Sequence, residues 1–210
     1  MADRDIVAAF HRLYYDSAET TWKQTWWLGH PTQKCPLDLW MYQQILVETR
    51  PDLIVECGTY LGGSTRFLAT VCDELDSGRI VSIDVLDRPG RPLHRRIGYL
   101  LGSSTDEGVV EQVRRRARKA KRVMAILDSD HARDHVLREL ELYGPLVTPG
   151  CYVVVEDTNV NGHPVSPEFG PGPREAVDEF LRRNDDFEVD RERERLLMTF
   201  NPSGYLRRRG

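Results

Sequence analysis

The stretch LIVECGTYLGGSTRFL, residues 53–68, joins a short apolar run to a glycine-rich turn and the beginning of a helical pattern. The run Leu53–Val55 has the β-branched character of a strand that is covered on both faces. Gly58, Gly62 and Gly63 then permit a tight turn and close approach of the backbone to its surroundings. Because the helix that follows presents free N–H groups at its start, the stretch predicts a strand, a turn and a helix with a ligand site at the turn.

The same alternation continues along the chain, because apolar runs of strand length are followed by stretches with apolar residues at helical spacing. This pattern is typical of βαβ units and predicts a seven-stranded, Rossmann-like α/β sheet with helices on both faces. A loop rich in Gly, Pro and Asn, 158–173, interrupts the pattern. After it we predict the helix 174–183 and two strands, 187–190 and 195–200. The earlier strands are predicted at 53–55, 80–83, 97–101, 123–127 and 152–155, and the helices between them at 63–75, 106–119 and 132–143.

Residues 1–50 precede this alternation and are too short for an independent domain. They contain predicted helices at about 3–16 and 37–49, and an aromatic-rich stretch between them. We expect this region to pack over one edge of the sheet as a helical extension. The chain, 1–210, is therefore predicted to be a single domain with 51–210 as its ligand-binding core. Aromatic side chains of the extension are expected to fill a core or a subunit contact: Trp22, Trp26 and Trp27.

Composition narrows the class of protein. The 210 residues are 40% hydrophobic, which suffices for one sizeable core, and 33 acids against 29 bases give a net charge of −4 that offers no reason to expect nucleic acid as a partner. Four cysteines are widely spaced, and Cys57 and Cys151 fall in strand patterns as small hydrophobes. The sequence shows no signal peptide and no apolar run of the ~20 residues that a membrane span needs. We therefore expect a reduced, cytoplasmic protein that does not bind membranes. Its expected partners are a small-molecule substrate and further copies of itself in a homo-oligomer.

The glycine turn is compatible with two cofactor classes. A dinucleotide fingerprint needs a glycine two positions after Gly58, where this chain has Tyr60, and this argues against NAD. The spacing Glu56-x-Gly58-x-x-x-Gly62 resembles instead the first motif of S-adenosylmethionine-dependent methyltransferases, in which the turn accommodates the amino-acid part of the cofactor. A purely structural turn remains the alternative.

Further cofactor contacts are expected at the ends of the neighbouring strands. Asp84 lies 26 residues after Gly58, at the end of the second strand, where a carboxylate can accept hydrogen bonds from both ribose hydroxyls. Ser103 and Ser104 follow the third strand, and their short hydroxyl side chains could meet an adenine. Ser64 belongs to the turn, although it and Thr65 are most simply read as helix caps. The predicted cofactor-binding residues are Glu56, Gly58, Thr59, Tyr60, Gly62, Ser64, Asp84, Ser104 and Asp128.

A second motif, CYVVVEDT at 151–158, ends a buried strand with two adjacent acids, Glu156 and Asp157. Neighbouring carboxylates repel each other and need a cation when they are partly buried. The preceding strand also ends in acids, in AILDSDH, with Asp128 and Asp130. Since the carboxyl ends of parallel strands share one edge of the sheet, these oxygens can converge beside the glycine turn. Three carboxylates without cysteine or paired histidine ligands favour Mg²⁺ over zinc.

The chain resembles the cephalosporin hydroxylase/rhamnosyl O-methyltransferase family over nearly its whole length, in WWLG, GTYLGGS, ELELYGPLVTPGCYVVVEDTNVNG and NPSGYLRR. Members of this family have a methyltransferase fold despite the first name. The resemblance implies S-adenosylmethionine and Mg²⁺ as cofactors. It also implies O-methylation of a hydroxyl on a secondary metabolite, such as a sugar or another vicinal diol in antibiotic biosynthesis. The acid pair matches the family's metal ligands, so Glu156 and Asp157 carry over.

The third metal ligand stays open between Asp128 and Asp130, which lie 28 and 26 residues before Glu156. A looser resemblance to metal-dependent O-methyltransferases of the catechol and macrolide-sugar kinds favours the longer separation. It also implies a base three residues after the first acid, at His131. A histidine there can take a proton from the acceptor hydroxyl, although a residue that merely starts a helix is the alternative.

Two other functions compete with O-methylation. The hydroxylase name suggests an accessory subunit that binds the cofactor without transferring its methyl group. A metal-dependent hydrolase would use the acids alone, but the glycine turn disfavours it. The long loop offers His163, Asn159 and Asn161 as a lid, as substrate contacts or as residues without chemistry. Lys34 could reach over the cofactor, but we favour a role in the cover of the sheet.

Overall fold

A computed structural model describes residues 3–210. Its main feature is a seven-stranded sheet in which five parallel strands are followed by one antiparallel strand and then by an edge strand that runs antiparallel to that one; a two-stranded hairpin lies outside the sheet. The hairpin strands are β1 (Trp26–Trp27) and β2 (His30–Pro31). The sheet contains β3 (Leu53–Cys57), β4 (Arg79–Asp84), β5 (Ile97–Leu101), β6 (Val123–Leu127), β7 (Tyr152–Val155), β8 (Phe187–Val189) and β9 (Tyr205–Arg208). The helices are α1 (Asp3–Asp16), α2 (Pro36–Thr49), α3 (Gly63–Glu74), α4 (Glu107–Ala117), α5 (Arg133–Tyr143) and α6 (Pro173–Arg183).

The order of strands across the sheet is β5-β4-β3-β6-β7-β9-β8, so the connection direction reverses between β3 and β6. In open parallel sheets, a ligand binds beyond the carboxyl ends of the strands at such a reversal. The glycine turn follows β3 directly and therefore lies at this point. The predicted parallel sheet with covered faces is confirmed, and the first five sheet strands agree with the predicted ranges to within two residues.

Alternate residues of each central strand enter two separate cores. Val55 of β3 and Ala125 of β6 pack with α4, α5 and α6, whereas Ile54 and Met124 pack on the other face with α2 and α3. The prediction that residues 1–50 cover an edge is therefore wrong for α2, which lies on a face beside α3. The four cysteines are buried and free. No helix within residues 3–210 has the length and hydrophobicity needed to cross a membrane.

The strand predicted at 195–200 does not form, and β9 takes its place in the sheet. The apolar side chains that suggested a strand, Met198 and Phe200, pack instead into a small cluster with α1. The backbone N–H of Phe200 donates to the buried carboxylate of Asp38, at 2.9 Å, rather than to a neighbouring strand. A short 3-10 helix, Arg191–Glu194, precedes this segment. Side-chain hydrogen bonds from α2 thus replace the expected ladder.

Candidate active site

A cleft of about 530 Å³ lies beyond the carboxyl ends of β3, β4, β5 and β6. Its position at the strand-order reversal is the one expected for a nucleotide-like ligand. Five of the nine predicted cofactor residues line it: Gly58, Tyr60, Asp84, Ser104 and Asp128. The structure therefore brings together residues that are up to 70 positions apart in the sequence. Three polar residues that were not selected from the sequence also line it: Arg88, Ser129 and His135.

The glycine turn brings the backbone of β3 against the end of β6. Gly58 has φ of +97°, and a Cβ atom at this position would overlap the backbone carbonyl oxygen of Asp128. Only glycine avoids both the left-handed strain and this overlap. Gly62 has φ of +80°, and a Cβ there would lie 2.6 Å from Cδ of Pro92. The two glycines thus permit the close approach that the sequence predicted.

Glu56 lies beneath the turn rather than in the cleft. Its buried carboxylate accepts hydrogen bonds from Ser64 Oγ and Ser82 Oγ, each at 2.6 Å, and from Thr65 Oγ1. Burial raises the pKa of Glu56, while these three hydroxyls oppose the shift. Thr59 is buried in the same network, 2.6 Å from Ser82 Oγ. The capping interpretation of Ser64 and Thr65 is therefore wrong, because both hydroxyls hold Glu56 and neither caps α3.

Asp84, at the end of β4, faces the cleft between two backbone N–H groups. Its Oδ2 accepts from the backbone N–H of Tyr60 at 2.7 Å, and its Oδ1 accepts from Leu86 at 2.9 Å. Arg91 forms an ion pair with the same carboxylate at 2.9 Å and donates to the Tyr60 carbonyl. The side chain of Arg88 covers the Tyr60 ring. A carboxylate fixed in this way is suited to accept hydroxyl donors from a ribose.

The opposite wall of the cleft contains a histidine that the sequence analysis did not select. His135 Nε2 lies 3.1 Å from Ser104 Oγ and 3.2 Å from Ser129 Oγ. Behind them Glu139 is fully buried and accepts from Ser129 Oγ at 2.7 Å, and its Oε2 has no partner in the described part of the chain. The hydrogen bond to Glu139 raises the pKa of His135, against the effect of burial.

The two adjacent acids that follow β7 point to different partners. Glu156 is buried, and its Oε1 accepts from the Tyr42 hydroxyl at 2.8 Å while its Oε2 pairs with Lys34 at 2.6 Å. Asp157 has φ of +54°, and its Oδ2 lies 3.2 Å from His131 Nε2. The left-handed residue turns the second carboxylate away from the first, so repulsion between them is reduced. Its backbone N–H donates to Asn201 Oδ1 at 3.1 Å, which supports this conformation.

Lys34 links the acids of β6 and β7. Its ammonium pairs with Asp128 as well as with Glu156, and only 7% of its side chain is exposed. Burial alone would lower the pKa of Lys34, but the two carboxylates raise it well above its usual range, so the side chain stays charged. The expectation that Lys34 serves in the cover of the sheet is therefore wrong, because it belongs to the acid cluster.

A group suited to a metal ion lies where the cleft meets the end of β7. One ligand atom each from Asp128, His131 and Asp157 lies within 4.8 Å of the others, and each residue is partly exposed. The two carboxylate oxygens are of the kind that bind a divalent cation, and the imidazole lies beside them. Asp130 stands outside this group, and its Oδ1 accepts from the backbone N–H of Ala132 at 2.8 Å. Among the predicted ligands, the structure thus brings Asp128 and Asp157 to His131.

The carboxylates around His131 control its proton affinity. Burial by itself would lower the pKa of His131, but Asp157 and Asp128 raise it above the ordinary value. Burial raises the pKa of Asp128, and the charge of Lys34 opposes this rise. His131 retains 30% exposure of its side chain, and the ring of Phe169 lies 6.5 Å from it. An imidazole that is accessible and backed by carboxylates can accept a proton from a bound molecule.

The polar residues of the long loop mainly hold the loop itself. The Asn159 amide nitrogen lies 3.0 Å from His11 Nε2 in α1, and both Asn161 and His163 bind Glu175 of α6. The loop is thus hydrogen-bonded to α1 through Asn159 and to α6 through Asn161 and His163. The structure therefore favours an anchoring role for the three residues.

Comparison with known proteins identifies the class and then the family. The sheet order and the position of the cleft define a class I methyltransferase fold. A solved structure of CmcI with Mg and SAM superposes with a TM-score of 0.70 at 22% identity, covering 90% of this chain and 78% of that one.

The family model "Rhamnosyl O-methyltransferase/CmcI" matches residues 19–209. The rhamnosyl O-methyltransferase of Mycobacterium leprae (strain TN) is 39% identical over 210 residues, which is 97% of this chain and 91% of that protein. The protein of the same name from Mycobacterium tuberculosis (strain ATCC 25618 / H37Rv) is 38% identical, over 96% of this chain and 84% of its own length. The chain therefore belongs to the rhamnosyl O-methyltransferase/CmcI family, and the predicted family and enzyme class, O-methyltransferase, are confirmed.

Proposed function

We propose that this protein is an S-adenosylmethionine- and Mg²⁺-dependent O-methyltransferase that methylates a hydroxyl of a rhamnosyl or similar vicinal-diol unit in a secondary metabolite. The observation that carries the proposal is that Asp128 belongs both to the nucleoside-sized cleft and to the group with His131 and Asp157. A methyl donor and a hydroxyl-activating centre would thus meet at one residue. The rhamnosyl part is supported by the names of the relatives.

The residues present fit both cofactors. Gly58 and Tyr60 of the glycine turn line the cleft, and Asp84 offers carboxylate oxygens to the same cleft. Asp128 and Asp157 offer oxygen ligands of the kind that Mg²⁺ prefers. When bound, S-adenosylmethionine would supply an electrophilic methyl group and Mg²⁺ a Lewis acid that makes a hydroxyl more acidic.

The protein's own groups have separate tasks in such a transfer. His131 is placed to accept the proton of the acceptor hydroxyl, and Asp157 beside its Nε2 stabilises the imidazolium that results. Asp84 and the glycine turn hold the donor in one orientation. The loop 158–173, anchored through Asn159 and Glu175, would border the acceptor, because its Phe169 ring lies 6.5 Å from the His131 ring. Most of the rate gain would come from holding donor and acceptor in a reactive geometry.

The acceptor class can be tested with methyl-labelled S-adenosylmethionine, Mg²⁺ and two matched acceptors. These are p-nitrophenyl α-L-rhamnopyranoside and its analogue without vicinal hydroxyls. We expect label to enter the first acceptor and much less to enter the second. Tight cofactor binding without transfer to any hydroxylated acceptor would support the accessory-subunit alternative and contradict the proposal.

Replacing Asp84 with alanine is expected to weaken S-adenosylmethionine binding about tenfold to a hundredfold, because charge-assisted hydrogen bonds to the ribose would be lost. Calorimetry measures the effect directly. Asp87→Ala is the matched control, because this substitution removes the same charge from an exposed residue on the loop that follows β4. Equal affinity in Asp84→Ala and wild type would refute the ribose assignment.

A further inference from the structure

The acid cluster contains a cation of its own. Lys34 enters it from the segment before α2, and its ammonium lies between Asp128 and Glu156. Both of these carboxylates are candidates for metal binding by their sequence context. The ammonium therefore lies between the ends of the neighbouring strands β6 and β7, at a position that would also attract a divalent ion.

The protein holds Lys34 in this position through its backbone as well. The Lys34 backbone N–H donates to Thr25 Oγ1 at 3.1 Å, and its carbonyl accepts from the same hydroxyl at 3.3 Å. The residue before it, Gln33, has a positive φ of +52°. These hydrogen bonds of the Lys34 N–H and carbonyl fix the backbone from which the side chain extends to the acids. The fold therefore holds the contact of Lys34 with Asp128 and Glu156.

Glu156 is fully engaged by protein groups. Lys34 pairs with its Oε2, and the Tyr42 hydroxyl, itself hydrogen-bonded to Asn201, donates to its Oε1. Asp157, by contrast, points to His131 and stays 22% exposed. An incoming ion therefore meets Asp157 in an accessible position, but it reaches Glu156 only by displacing or crowding the ammonium.

We propose that Lys34 is a resident cation of this centre that organises Asp128 and Glu156 in the metal-free protein and competes with the divalent ion for them. It thereby lowers the affinity for the metal while it keeps the carboxylates in place. The inference rests on the proposed function, because it assumes that the centre binds a divalent ion. Lys34 is accordingly a positioning residue that acts through the acids.

The test measures metal affinity of the full chain without cofactor or substrate, with Mn²⁺ as a paramagnetic probe for the Mg²⁺ site. Lys34→Met removes the charge and keeps most of the side-chain volume. We expect this variant to bind Mn²⁺ at least tenfold more tightly than wild type, since one cation no longer opposes another. We also expect a lower melting temperature in the metal-free state and a larger rise on adding Mn²⁺.

Lys23→Met is the matched control, because Lys23 lies in the same N-terminal region but pairs with Glu19 and is 39% exposed. It should bind Mn²⁺ as wild type does. If Lys34→Met does not fold, Lys34→Gln carries the same expectation and retains a donor for one carboxylate.

If the folded Lys34 variant binds Mn²⁺ no more tightly than wild type does, Lys34 does not compete with the ion and this inference is wrong. The proposed function then stands, because wild type still binds the ion. Absence of Mn²⁺ binding in wild type and in every variant overturns the metal dependence itself, and this inference with it.

Discussion

His131→Ala is expected to lower kcat for methyl transfer by roughly 10²–10⁴, the usual contribution of a positioned general base. The imidazole is partly exposed and lies 3.2 Å from Asp157, and within residues 3–210 it is the one histidine of the group with Asp128 and Asp157. Because the side chain is not among those that line the cofactor cleft, the affinity for S-adenosylmethionine should change little. Steady-state kinetics and calorimetry on the same preparation separate the two effects.

His94→Ala provides the comparison for this result. His94 Nε2 likewise lies close to an aspartate oxygen, 2.8 Å from Asp73 Oδ2, but outside the active site. This variant should retain a kcat close to that of wild type. A His131→Ala enzyme with wild-type kcat would show that His131 is not the base and that another group takes the proton.

Gly58→Ala is expected to destabilise the protein by about 3 kcal/mol or more and to abolish measurable cofactor binding. Two penalties combine at this position. The residue has φ of +97°, which L side chains rarely adopt, and the added Cβ would overlap the backbone of Asp128, which cannot rotate away as a flexible side chain could. Relief of the overlap would have to move the end of β6 and, with it, the acid cluster. Urea unfolding measures the loss of stability.

Gly150→Ala separates the two penalties. Gly150 has a similar φ of +80°, but a Cβ there meets no heavy atom within 4 Å. Only the left-handed strain remains, for which we expect a cost of about 1–2 kcal/mol. If both alanine variants lose the same free energy of unfolding, close approach of β3 to β6 is not the reason for glycine at position 58.

The fold followed from the sequence wherever burial and local pattern agree. β5, β6 and β7 were predicted with their observed bounds. Every residue of β6 and β7 is buried, as their uninterrupted apolar runs predict, whereas β5 is a partly exposed edge strand. The failure at residues 195–200 has a physical cause. An apolar run there packs against α1 and hydrogen-bonds to Asp38, whereas the true strand β9 contains two arginines and looks too polar for a sheet.

The candidate site was predictable only in part. The residues at strand ends were found, because parallel topology brings those ends together without further information. Lys34 could not be assigned to the acids, since 94 positions separate it from Asp128 and no local pattern encodes the contact. The separation of Glu156 from Asp157 depends on a left-handed residue that carries no glycine signal. His135 was missed because it lies within a helix whose pattern looked structural.

Metal dependence of methyl transfer tests the central claim most directly. The enzyme is treated with EDTA, desalted, and assayed with methyl-labelled S-adenosylmethionine and p-nitrophenyl α-L-rhamnopyranoside, with and without added Mg²⁺. The proposed arrangement of Asp128, His131 and Asp157 predicts that transfer disappears after chelation and returns with Mg²⁺. Label transfer that continues undiminished in the presence of EDTA would contradict it.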